Sequence, residues 1–350
     1  MIRVLVILTV ATVICGSAFA QEPVDVFVSG EDGYHTYRIP ALVVTKNGVL
    51  LAFCEGRKSS ASDAGDIDLL VKRSVDNGST WSDLRVVHEE GGDAETTIGN
   101  PCPIVDTDTG RVHLLFTRNN ARAFHTSSDD DGVTWSEPRE ITETLNGFDF
   151  PWTRVGTGPG HGLQLSGGRL LAPIWLNERI RVNYRSAAIF SDDHGETWKA
   201  GGLVGPEIPD TNECMAVEMP DGRVYLNMRA RDVKTRSVAW SEDGGETWSI
   251  PSPDAGLPDP VCQACALRVG ERIFFANPAG PGRANLLIRV SEDGVETWDD
   301  FRAVHEGPAA YSDMVFLPAT NELLCLYECG EAGPYERIRV ARIILSNHQV

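Results

Sequence analysis

Lysine is scarce in this 350-residue chain: Lys46, Lys58, Lys72, Lys199 and Lys234 stand against 26 arginines. Acidic residues number 50 and basic residues 31, a formal charge of −19. A chain this acidic repels phosphate backbones, which argues against nucleic acid as a partner. Arginine's planar fork matches a carboxylate through two parallel hydrogen bonds, whereas lysine is a point charge. The basic residues are therefore suited to gripping a small carboxylate. Long hydrophobic runs are lacking as well. Val4–Ile14 is an apolar run of 11 residues, too short to span a bilayer, and no later stretch suffices. It follows Met1-Ile2-Arg3 and precedes Ser17-Ala18-Phe19-Ala20, the form of an export signal cleaved after Ala20. Acylation at Cys15 is the rival reading, but Thr12-Val13-Ile14 lacks the small residue expected before such a cysteine. Residues 21–350 are expected to form one soluble, exported domain with no membrane span.

Recognisable metal and redox patterns are also missing. Seven cysteines follow the leader, and Cys262-Gln263-Ala264-Cys265 has no second CxxC or histidine pair beside it. It lies in the apolar stretch Val261–Val269, which reads as a strand, so buried free thiols are expected. One disulfide stays open, because an exported chain meets oxidising conditions. The eight histidines show no ligand spacing, so neither metal nor cofactor is expected. No stretch sustains an apolar period of 3.6 residues, which argues against helices.

What is present is a repeat. Five segments share the form Ser-x-Asp-x-Gly-x-Thr-Trp, beginning at Ser74, Ser128, Ser191, Ser241 and Ser291, with Val295 replacing glycine in the fifth. Aspartate bonds to backbone N–H groups just ahead of it, and glycine supplies a positive φ, so each box reads as a tight turn between strands. The tryptophan re-enters a strand, where its ring can pack beneath the turn. Short β-branched runs lie around the boxes, including Ala41–Thr45, Val49–Phe53, Val112–Thr117, Arg169–Ile174, Val224–Met228 and Ile273–Ala276. The mean spacing of about 54 residues is room for a four-stranded sheet, and the mature chain holds about six such units. The expected fold is an all-β, six-bladed propeller of four-stranded antiparallel sheets. One blade carries no box, and strands at Val24–Val28 and Ile338–Leu345 are expected to complete it from both termini. Five equal sites would be odd for one reaction centre, so the boxes read as structural and the chemistry belongs to residues that do not repeat.

Those residues occur in order along the chain. Arg38 stands in Tyr37-Arg38-Ile39-Pro40, Arg229 in Asn227-Met228-Arg229, and Arg283 in a Gly/Pro-rich loop. Glu213 precedes the strand leading to Arg229, and Tyr311-Ser312-Asp313 precedes the strand Met314–Leu317. Arg-Ile-Pro, the boxes, the later arginines and Tyr-Ser-Asp together resemble the exo-α-sialidases (neuraminidases) with Asp-box, or BNR, repeats. The resemblance runs from about Tyr34 to Glu328. It implies a hydrolase that releases terminal α-linked sialic acids from glycoproteins, glycolipids and oligosaccharides. It also implies the roles: Arg38, Arg229 and Arg283 on the substrate carboxylate, Tyr311 as nucleophile, and Glu213 polarising its hydroxyl. Asp63 would be the acid and base, with Asp66 of the same loop as the alternative. Glu328 would orient Arg38, and Glu55 and Arg57 would line the pocket.

The chemistry suits those residue types. Sialic acid carries a carboxylate on its anomeric carbon, so a carboxylate nucleophile would meet like charge and a neutral phenol would not. A free phenol titrates near 10 and is a poor nucleophile until a neighbouring base takes its proton. Two other functions fit the repeat: a non-catalytic propeller that binds glycans, and a glycosidase for a related acidic sugar. The first would be expected to lack the tyrosine, the acid or an arginine, and none is missing here. His161 reads as a loop histidine.

Overall fold

The structure is a computed structural model that describes residues 22–92, 94–180 and 182–345. The export segment and its Ala20 cleavage site lie outside the described residues. Apart from one 3-10 turn at Thr142–Gly147, the regular elements are strands. No helix among the described residues is long and apolar enough to cross a membrane.

The first strand, β1 (Val24–Val28), is followed by β2 (Thr36–Val44), β3 (Leu50–Arg57), β4 (Ile67–Ser74) and β5 (Arg85–His88). The latter four form an antiparallel sheet in sequence order, as do β6 (Ile98–Val105), β7 (Val112–Arg118), β8 (Arg122–Ser128) and β9 (Arg139–Glu140). A five-stranded sheet follows from β10 (Arg154–Thr157), β11 (Leu163–Gln164), β12 (Leu170–Arg179), β13 (Val182–Ser191) and β14 (Lys199–Leu203). Next come β15 (Thr211–Glu218), β16 (Val224–Ala230), β17 (Thr235–Ser241) and β18 (Ser252–Pro258). The chain ends with β19 (Cys265–Val269), β20 (Arg272–Pro278), β21 (Ala284–Ser291), β22 (Asp299–Leu317), β23 (Glu322–Cys329) and β24 (Arg337–Ile344). First strands pack on one another from β2 through β6 to β10 and from β15 through β19 to β22, β12 joins the third sheet to β15, and β22 closes back onto β2. The arrangement is propeller-like, with apolar clusters between neighbouring sheets.

Six separate four-stranded sheets were expected, and among the described residues the hydrogen-bonded paths number five, one of them seven-stranded. The reason is β22, which runs unbroken for 19 residues and changes partner midway. Its residues up to Pro308 pair with β21, and those from Ala309 pair with β23. The termini do meet as the repeat spacing predicts, with β1 antiparallel to β24 (Val24 opposite Val340).

All five boxes lie between the last two strands of their units, and each satisfies itself. In the first, Ser74 Oγ donates to Asp76 Oδ1 at 2.7 Å, and Gly78 N donates to Ser74 Oγ at 2.8 Å. Thr80 donates to Asp76 through both its N–H (2.9 Å) and its hydroxyl (2.6 Å). Every box tryptophan packs on an inter-sheet cluster. The box glycine reaches the preceding sheet, and a Cβ at Gly195 would come within 2.4 Å of His113. All seven cysteines in the described residues are buried and unpaired. The stretch Val261–Ala264, expected as strand, is instead a bend before β19. Val261 there adopts φ +60°, and Asp259 Oδ1 accepts the Cys262 N–H at 3.0 Å.

Candidate active site

The ladder fails at the same level in four inner strands. Register shifts leave Ile39-Pro40 unpaired in β2, Asn100-Pro101 in β6, Asn212-Glu213 in β15 and Ala310-Tyr311 in β22. Two of these bulges contain proline, which has no N–H to lose, and two use the left-handed region, at Ile39 (φ +61°) and Asn100 (φ +56°). A bulge turns side chains out of the sheet, and these turn Ile39, Asn100, Asn212, Glu213 and Tyr311 into one cavity of about 430 Å³.

The N–H groups freed by the bulges need acceptors, because a buried unpaired donor costs about 1–3 kcal/mol. Glu328, fully buried, accepts from Ile39 N at 2.8 Å and Tyr311 N at 3.1 Å. The same carboxylate takes Arg38 Nε at 2.7 Å. Glu55 repeats the arrangement, accepting Asn100 N at 3.0 Å and pairing with Arg57 at 2.7 Å. A Cβ at Gly99 would sit 2.2 Å from Glu55 Oε1, so only glycine leaves room for that carboxylate. Each glutamate thus caps a bulge and aims an arginine.

Of the nine residues singled out from sequence, eight line the cavity: Arg38, Glu55, Arg57, Asp63, Glu213, Arg229, Arg283 and Tyr311. Glu328 lies just behind Arg38. Tyr311 is 5% exposed, and its hydroxyl donates to Glu213 Oε1 at 2.5 Å while accepting from Arg229 Nη1 at 3.1 Å. Arg229 also pairs with the second oxygen of Glu213 and donates to Asn212 Oδ1 at 2.9 Å. The guanidinium carbons of Arg38 and Arg283 stand 5.0 and 5.2 Å from the Tyr311 ring centre. Burial and the neighbouring Glu213 push the Tyr311 hydroxyl well above the ordinary tyrosine value, against the opposing pull of three arginines. The resting phenol is neutral.

Asp63 projects from the β3–β4 loop with its side chain 86% exposed, 2.8 Å from Arg57 and 3.6 Å from Arg38. Partial desolvation raises its carboxyl, but Arg57 and Arg38 more than reverse this and hold it below the usual carboxylate range. Asp66 is drawn away from the cavity by Lys58 at 3.2 Å, and Asp68 pairs with the same lysine.

Several lining residues escaped the sequence reading. Trp175 and Tyr184 form an aromatic wall with ring centres 5.6 Å apart, joined by Asn120, Arg154 and Arg231. Tyr335 stacks on Arg38 at 4.0 Å and accepts from Arg283 Nη1 at 2.7 Å, bracing two of the arginines. Asn212 and Arg231 lie beside singled-out residues in sequence and could have been found that way. Trp175, Tyr184 and Tyr335 carry no local signal. His161, read as a loop residue, reaches inward to Asp313 Oδ1 at 2.7 Å. With Cys265 these two form one of two clusters among the described residues that could hold a metal; the other is Asp106, Asp108 and His194. In both clusters the carboxylate already accepts hydrogen bonds from its neighbours.

A ring of small sheets with self-bonded Asp-boxes and an arginine-lined cavity defines the class, and the family model for the BNR repeat-like domain matches residues 48–321. The exo-alpha-sialidase of Aspergillus fumigatus is 33% identical over 296 residues, covering 75% of this chain and 69% of that one. Sialidase-3 of Mus musculus is 28% identical, covering 93% and 94% of the two chains. The sialidase of Micromonospora viridifaciens is 32% identical over 91% of this chain, which spans 53% of the longer enzyme. Among solved structures, the Hadza microbial sialidase Hz136 superposes with a TM-score of 0.83 at 28% identity, over 92% of this chain and 68% of that one. The chain belongs to the exo-α-sialidase family of glycoside hydrolases.

Proposed function

We propose that the protein is an exported exo-sialidase that hydrolyses terminal α-linked sialic acids from glycoconjugates with retention of configuration. The observation that carries the reading is the Tyr311–Glu213 hydrogen bond beneath three arginines in one cavity. Arg38, Arg229 and Arg283 take the substrate carboxylate through charge-assisted bonds, each worth on the order of 1.5–3 kcal/mol. This places the anomeric carbon over the Tyr311 oxygen. That oxygen attacks as its proton passes to Glu213, and Asp63 protonates the departing glycosidic oxygen. Water then attacks the tyrosyl-linked sugar, giving its proton to Asp63, while Glu213 returns the proton to Tyr311. Two inversions give net retention, by the tyrosine route that sets sialidases apart from two-carboxylate glycosidases.

Asp63 rests on Arg57 and Arg38 without substrate, so the arriving carboxylate competes for Arg38 and loosens that hold. The acid is thereby released toward the leaving oxygen and regains a higher pKa. The partner change within β22 supports six blades, with the seven-stranded sheet as two fused at Pro308-Ala309.

The test is proton NMR of an α-linked sialoside during turnover. Initial release of the α-anomer of free sialic acid is expected. Initial β-anomer would exclude the covalent route, and binding without release would leave a glycan-binding propeller.

A further inference from the structure

Glu328 satisfies only half of the Tyr311 bulge. It accepts the Tyr311 N–H, while the next residue, Ser312, pairs with Tyr327 of β23 on one side and meets Gln263 on the other. On that inner side both Ser312 backbone groups are taken by one side chain. Ser312 N donates to Gln263 Oε1 at 3.0 Å, and Gln263 Nε2 donates to Ser312 O at 3.0 Å. The amide thus stands in for one residue of a neighbouring strand. Gln263 is 1% exposed, and Nε2 also reaches Pro159 O at 3.4 Å in the loop before His161. There is no slack around it, since a Cβ at Gly160 would lie 3.3 Å from Nε2 and 2.7 Å from Met215 Sδ. The cysteines flanking Gln263 in the CxxC pattern are both fully buried.

From this geometry we infer that Gln263 is a positioning residue for the nucleophile, fixing the bulge that aims the Tyr311 hydroxyl at Glu213. The inference rests on Tyr311 being the nucleophile. An amide supplies one donor and one acceptor at the spacing of a backbone pair at every working pH, which neither an apolar side chain nor an ionised carboxylate does. Without it the bulge has one anchored side, and a displacement of about 1 Å at a reacting atom costs on the order of 10²-fold in rate. Arg38 and Arg229 lie on other strands and Arg283 in the loop before β21, so they keep their grip and the loss belongs in kcat.

Three proteins test this: wild type, Gln263→Met, which keeps the volume, and Gln263→Glu, which keeps the shape. Gln263→Met is expected to lower kcat roughly 10- to 100-fold with KM within about twofold, for activated and natural leaving groups alike. Gln263→Glu places a carboxylate against the Ser312 carbonyl, and its protonation restores a donor there. Its activity relative to wild type should therefore recover as pH falls from 8 to 5, a profile that a merely structural loss would not give. A Gln263→Met enzyme with kcat within twofold of wild type overturns the inference, as does a flat relative profile for Gln263→Glu. A wild type that releases no sialic acid overturns the functional reading instead, so the two failures are distinguishable.

Discussion

Replacing Glu328 by glutamine changes one atom and should be felt in both stability and binding. The carboxylate accepts three hydrogen bonds, from Arg38 Nε, Ile39 N and Tyr311 N, and neither it nor Arg38 sees solvent to any extent (side chains 0% and 5% exposed). A glutamine there must turn its NH₂ either toward Tyr311 N–H or toward Arg38 and Ile39, and each choice sets donor against donor. Burial alone would weaken the guanidinium's hold on its proton, and Glu328 more than offsets this. Breaking a buried pair costs about 3–5 kcal/mol, and Asp63, being exposed, is a weak substitute. Glutamine keeps part of the hydrogen bonding, so about 3 kcal/mol of stability is expected to go. At roughly 2.1 cal/mol/K of unfolding entropy per residue, that is a fall in Tm of about 4–5 °C. Arg38 also loses its fixed direction, so KM for a sialoside should rise about tenfold, the equivalent of one weakened charge-assisted bond. Thermal unfolding and steady-state kinetics on the same preparation read both effects. A variant with Tm within 1 °C of wild type and unchanged KM would refute the reasoning.

Other expectations concern different parts of the fold. Asp63→Asn should cost about 10²–10⁴-fold in kcat with a natural sugar leaving group and far less with an activated aryl sialoside; equal losses on both would remove Asp63 as the acid, and Asp66→Asn should be mild on either. His113 and His125 share a buried 2.9 Å hydrogen bond, and desolvation pulls them down to about 4 and about 3. The unfolded chain takes up these protons near 6.5 and the folded one does not, so stability is full above pH 6.5 and falls toward pH 3. The slope is at most about 1.4 kcal/mol per pH unit for each histidine, and urea midpoints at pH 7, 6 and 5 would show it flattened in His125→Gln. Val295 holds φ +68° where the other boxes have glycine, so Val295→Gly should gain about 1 kcal/mol in chemical unfolding, and a loss would mean that its side-chain packing outweighs the strain.

The features legible in the sequence are those made by local chemistry. A box needs only its own Ser, Asp and Thr and a residue that accepts a positive φ, so the five turns followed from the motif itself and the all-β class from the short β-branched runs around it. The meeting of β1 with β24 followed from the count of units. The bulges were not legible, because whether Ile39 or Tyr311 has a ladder partner depends on residues elsewhere in the chain. The same limit hid Tyr335, which braces Arg38 and Arg283 from a loop that reads as bland. Val261–Ala264 shows the opposite error, an apolar β-rich run that bends because Asp259 captures its N–H. The five-sheet path was hidden too, since nothing in Asp299–Leu317 signals that one strand serves two partners.

The most direct measurement of the nucleophile uses 2,3-difluorosialic acid, which gives a covalent intermediate in Trypanosoma rangeli sialidase. That enzyme shares this fold at 20% identity, with a TM-score of 0.76 over 91% of this chain and 59% of that one. The protein would be incubated with the compound, digested and read by tandem mass spectrometry. A sugar adduct on Tyr311, absent in Tyr311→Phe, is the expected result. An adduct on Glu213 or Asp63, or full turnover of a sialoside by Tyr311→Phe, would contradict it.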